Sequence, residues 1–138
     1  MIRVALLVLV LLSACAPCPS GVDTRTRWAR EAVAACGAVE GCADLSGVAV
    51  FELPLEDVRD VCNAGSNTRG CYCEDCGAIV IADQRVRMAG CTADTENCFY
   101  TQQDIVLHEL THAAFGSGTA DHPPEFEIAL QAARASMR

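Results

Sequence analysis

The chain has 138 residues, with 10 Arg, no Lys, 18 acidic residues and a formal charge of -8. That length suffices for one ordinary domain and not for two independent cores, and arginines dispersed among nearly twice as many carboxylates exclude the basic face that a nucleic-acid partner needs. With 51% hydrophobic residues, 10 Cys and few aromatics, the chain is not disordered, and its core must be aliphatic and cross-linked.

Met1-Ile2-Arg3 carries one positive charge, and Val4 to Leu12 is an unbroken apolar run that ends in Ser13-Ala14-Cys15. The pattern predicts a secretory signal over 1–14. Nine apolar residues fall short of the roughly 20 that a membrane-crossing helix needs. Leu12-Ser13-Ala14-Cys15 resembles the bacterial lipobox, which implies that Cys15 becomes a lipidated N-terminus. The mature chain is then exported to the cell envelope, on a periplasmic or extracellular face, and meets the membrane through its lipid anchor only.

Export places the thiols where they oxidise. Cys36, Cys42, Cys62, Cys71, Cys73, Cys76, Cys91 and Cys98 are the bridge candidates, with the pairing open. Cys18 lies in an expected tether, 15–24, and is expected to be spare. Cys71-Tyr72-Cys73-Glu74-Asp75-Cys76 could instead be half of a thiolate zinc site, a weaker reading because such a site needs a compatible fourth ligand nearby.

Residues 25–138 read as a single domain. Arg25 to Val39 spaces Trp28, Ala32, Cys36 and Val39 as one helical face, with Asp23 or Thr24 as N-cap and Gly41 as stop. Gly47 to Leu53 alternates as a strand ended by Pro54, Leu55 to Cys62 fits a short helix, and Asn63 to Asp75 a disulfide-pinned loop. Ala78-Ile79-Val80-Ile81-Ala82 is a continuous apolar strand, and Arg85 to Met88 is its expected hairpin partner. Gly90 to Cys98 reads as another loop. Thr101-x-x-Asp104 opens a largely buried helix that Gly116 can close, and Pro123-Pro124 open a last helix over Glu125 to Met137. The fold class is therefore α+β, with a few-stranded sheet or hairpin, one central helix and a C-terminal helix.

The central helix contains His108-Glu109-Leu110-Thr111-His112. Residues four apart on a helix lie one turn and about 40° from each other, so both imidazoles face one side and can share one metal ion. Glu109 is offset enough not to ligate but can reach a water on that metal. The histidines and Glu109 interrupt an otherwise apolar helix, which is costly without a compensating partner. The third and last histidine, His122, follows a turn and faces back over the same site.

With these residues the chain resembles the zincin metallopeptidases, and the local pattern His-x-x-x-Phe from His122 to Phe126 is similar to the SprT and YgjP-like groups. The resemblance covers the strand 78–82, a hairpin and Asp104 to Phe126. It implies that His108, His112 and His122 bind Zn2+ and that Glu109 is the general base of peptide hydrolysis. The metzincin signature departs, since it wants Gly where Phe115 stands and His or Asp where Gly118 stands. Asp121, in a Gly-Thr context like that of the aspzincins, is the alternative third ligand, and Glu125 or Glu127 would fill that place in a gluzincin.

These residues imply a cell-envelope zinc peptidase acting on a peptide or protein substrate held along the strand 78–82 or its partner. Tyr100, Tyr72 or an Arg is the available oxyanion support, and Asp121 and Asp104 could orient an imidazole. A zinc-binding module without catalysis and a purely structural lipoprotein without metal are the competing functions.

Overall fold

A strand without a polar side chain must be covered on both faces, so the apolar run 78–82 dictates the layering of the molecule. The computed structural model describes residues 17–42, 44–117 and 122–138. The expected signal, Cys15 and Asp121 lie outside the described residues. A 3-10 turn, Arg25–Trp28, leads into α1 (Ala29–Gly37). Next come β1 (Ala49–Leu53), α2 (Leu55–Val61), β2 (Gly70–Cys73), β3 (Ala78–Ala82), β4 (Val86–Arg87), β5 (Phe99–Tyr100), α3 (Gln102–Phe115) and α4 (Pro124–Ser136). The class is α+β, as the sequence predicts.

β3 is the central strand of a sheet ordered β1-β3-β2, parallel to β1 and antiparallel to β2. On one face Ile79 and Ile81 join Val50, Leu107, Leu110, Phe126 and Leu130 in the main core. On the other, Val80 and Ala82 meet Val58 of α2. Ile79, Val80 and Ile81 have no exposed surface, and each such side chain contributes about 1.5–3 kcal/mol.

Residues 63–75, expected as a loop, contain β2. Gly70 and Tyr72 pair with Ile81 and Ile79, and Cys71 with Val80, an alternation that the cysteines disguise. Arg85 to Met88 is not the hairpin partner of β3, because β1 and β2 already occupy both of its edges; β4 pairs instead with β5.

Cys18 is not spare, since it bridges to Cys76. The Asp23 carboxylate accepts the Val50 N–H at 3.1 Å, and Asp23 forms an isolated antiparallel bridge with Phe51. The described end of the expected tether is thus fastened to the sheet. Asp23 accepts the Arg25 N–H at 3.0 Å and Thr24 makes no side-chain cap. Cys36–Cys42, Cys62–Cys71 and Cys91–Cys98 are also bridged, and Cys73 is disulfide-bonded. These bonds fit an oxidising compartment. No described helix is long and apolar enough to cross a membrane.

Candidate metal centre

α3 begins as its sequence requires. Thr101 Oγ1 accepts the Asp104 N–H at 3.1 Å, and Asp104 Oδ2 accepts the Thr101 N–H at 3.4 Å, a reciprocal cap that satisfies two orphan donors. Gly116 ends the helix at φ 66°, the left-handed region where glycine has no Cβ penalty. Between these ends the apolar residues Ile105, Val106, Leu107 and Leu110 are buried, which turns His108 and His112 towards α4. Pro123 and Pro124 start α4 immediately after His122, so the last imidazole is delivered from a rigid segment.

The three histidines converge. His108 and His122 have ring centroids 4.7 Å apart, His108 and His112 4.9 Å, and His112 and His122 5.0 Å. One candidate ligand atom from each lies within 4.8 Å of the others, and this group could hold a metal ion. Nε2 of His112 and of His122 are 3.1 Å apart, close to the separation of about 3.3 Å for two nitrogens sharing one tetrahedral cation. Phe126 forms the floor. Its ring stacks on His122 at 4.5 Å and 5°, and lies 4.5 Å from His112 and 5.1 Å from His108.

Burial and then the charges of His112 and His122 push the His108 pKa from 6.5 down to about 3. Burial and then His122 push that of His112 to about 4. Both rings are therefore neutral at pH 7, the form that binds metal. His112 Nδ1 is buried without a hydrogen bond of good geometry, and the main chain of Ser117 offsets only part of the depression. Three converging imidazoles, two from α3 and that of His122 from the segment just before α4, fit a bound cation.

Glu109 is 7% exposed. Burial raises its pKa from 4.5 to about 8, against the charge of Arg69 and a hydrogen bond from the Tyr72 N–H. Glu109 and the histidines line one cleft of about 410 Å3, whose far wall is built from Cys62, Ala64 and residues 67–72, much of it within the loop that Cys62–Cys71 closes. Tyr72 and Tyr100 also line it, as do Asp104 and Arg134.

The cleft brings together His108, Glu109, His112 and His122 with Tyr72, Tyr100 and Asp104, its lining does not include Glu125, and Asp121 lies outside the described residues. Glu127 Oε1 stands 3.8 Å from His122 Nδ1, on a different ring nitrogen from the one that faces His112. Asp104 caps α3. Sequence reasoning did not single out Arg69, Gly70 or Arg134. For Gly70 the available signal was its position heading the alternation Cys71-Tyr72-Cys73, where a missing side chain marks a close approach. Comparison with protein-family models, with curated proteins and with solved structures finds nothing that matches this chain.

Proposed function

We propose that the protein is a zinc-dependent peptidase of the cell envelope. The observation that carries this reading is the convergence of His108, His112 and His122 beside a buried glutamate in an open cleft. A site kept only for rigidity has no need of a carboxylate there. Zn2+ is favoured by an all-imidazole donor set, and when bound it would supply Lewis acidity towards a substrate carbonyl and a neighbouring water.

The chain's own residues supply the rest. In the metal-free protein burial raises the Glu109 pKa to about 8, and the charge of a bound cation would favour the ionised carboxylate, the form that can take a proton from water and then give it to the leaving amine. Tyr72 N–H can hold one carboxylate oxygen while the other handles the proton. β3 is central and has no free edge, so a peptide would be received along β2, the edge strand bordering the cleft. The apolar run 4–12 and the disulfides support an exported protein, and the lipobox-like Leu12 to Cys15 alone speaks for a lipid anchor.

The test is metal analysis of the purified protein, with casein and peptide-library cleavage compared between wild type and Glu109→Gln. Retained zinc with cleavage abolished is the expected result. Cleavage that survives the substitution removes Glu109 from its role. Zinc without any cleavage by the wild type leaves a non-catalytic binding module, and protein that takes up no zinc overturns the reading.

A further inference from the structure

The cleft, which also holds the carboxyl groups of Asp104 and Glu109, is richer in cationic groups than the molecule as a whole. In a chain of net charge -8, two guanidinium groups, those of Arg69 and Arg134, line the same cavity as His108, Glu109 and His112. Arg25, Arg27, Arg85 and Arg87 each hold a carboxylate elsewhere, and Arg134 Nε lies 3.9 Å from Asp104. Arg69 differs. It is half-buried, and among the described residues no carboxylate pairs with it.

Its position is nevertheless fixed. The guanidinium carbon of Arg69 lies 3.8 Å from the centroid of the Tyr100 ring, and Nε makes one long hydrogen bond, 3.4 Å, to the Asn67 carbonyl. The two terminal nitrogens have no hydrogen-bond partner among the described residues. A planar fork held over an aromatic ring, with its outer donors free, is pre-organised for a bidentate anion and loses little side-chain freedom on binding one. The charge of Arg69 acts on both Glu109 and His108, and that of Arg134 acts on His108. The fork therefore stands within electrostatic reach of the reacting centre. An acidic surface repels anions generally, so a local pair of cations in a cleft focuses them there.

We propose that Arg69, assisted by Arg134, binds a carboxylate of the substrate, so that the cleft selects peptides with a negative group close to the bond that is cut. The claim rests on the peptidase reading for the reaction but not for the binding chemistry. The carboxylate has two sources, a free chain terminus or an acidic side chain, and one set of ligands separates them.

Binding of short peptides to metal-free and zinc-loaded protein is measured by calorimetry in matched pairs. One pair differs in a free against an amidated C-terminus, and the other, amidated throughout, in Glu against Gln. The wild type is expected to prefer the carboxylate member of at least one pair by about tenfold or more. Arg69→Gln should erase that preference, and Arg69→Lys should keep part of it, because a lysine is a point charge without the fork. Equal affinities within both pairs for the wild type overturn the proposal, as does a preference that survives Arg69→Gln or an absence of binding by every peptide. The wild-type comparison stands even where a variant fails to fold. Discriminating binding without cleavage of any peptide would sink the peptidase reading and leave the carboxylate site intact.

Discussion

Gly70 stands directly against Glu109: a Cβ built on the glycine would lie 3.2 Å from Glu109 Cγ, 2.9 Å from Ile105 Cγ2 and 2.8 Å from the Val80 carbonyl oxygen. The main-chain oxygen cannot move aside without disturbing the β2–β3 pairing. Glu109 therefore owes its approach to β2 to the absent side chain. Gly70→Ala is expected to cost about 1–3 kcal/mol through overpacking and to lower peptide cleavage, while the three histidines keep their zinc. Denaturant titration together with metal analysis checks this, and unchanged stability would show that α3 can shift freely.

Removing His122 takes away the one imidazole of the three that lies outside α3. His122→Ala is expected to weaken zinc binding by more than the roughly 10–100-fold typical of losing a group that merely supports a ligand. Competition with a chromophoric chelator measures it. Zinc at a hundred times its dissociation constant stabilises a folded protein by about 2.7 kcal/mol, so wild type should show a rise in Tm with zinc that the variant lacks. Equal affinities would point to a ligand in 118–121.

The pH dependence of the metal-free protein has a definite sign. His108 and His112 have folded pKa values of about 3 and about 4, below the 6.5 of a free imidazole, so between these limits the unfolded chain binds more protons and stability rises with pH. Glu109 has a folded pKa of about 8 against 4.5. Its contribution is complete below 4.5 and is lost as pH rises towards 8. Two imidazoles outweigh one carboxylate up to about pH 6.5, and the carboxylate alone acts above it. Urea midpoints at pH 5, 6.5 and 8 in chelator should peak at the middle value. Glu109→Gln should abolish the decline on the alkaline side.

Cys62–Cys71 closes the far wall of the cleft. Cutting it by Cys62→Ser with Cys71→Ser is expected to cost about 2–3 kcal/mol, the loop-closure value for a span of this size, and to raise KM more than it lowers kcat. The double variant is the right one, because Cys71 Sγ lies 3.9 Å from Cys73 Sγ and a lone thiol there could exchange with the neighbouring bridge. A KM identical to that of the wild type would show that the wall keeps its shape without the cross-link.

The parts of the fold legible in the sequence are those governed by local chemistry. Thr101 with Asp104, and Gly116, marked the ends of α3 because caps are read from neighbouring residues. The meeting of His108 with His112 followed from helical geometry alone. His122 was placed correctly because two prolines fix how α4 starts. Strand partnership was not legible, since whether Val86 pairs with Ile81 or with Tyr100 depends on how many neighbours β3 already has. β2 was missed because cysteine carries little strand signature, although Cys71 and Cys73 sit on one face of the sheet and Tyr72 on the other. The burial of Glu31, which accepts a hydrogen bond from Gln103 at 2.7 Å, arises across 72 residues of sequence and had no local mark.

The bridges differ in how far the chain must search for its own ends. Cys36–Cys42, Cys91–Cys98 and Cys62–Cys71 join partners 6, 7 and 9 residues apart, spans over which contact is made in roughly 10–100 ns. Cys18 and Cys76 are 58 residues apart and meet only when β1 and β3 have brought them alongside. Oxidation would therefore knot the small rings first and draw the N-terminal seam shut last.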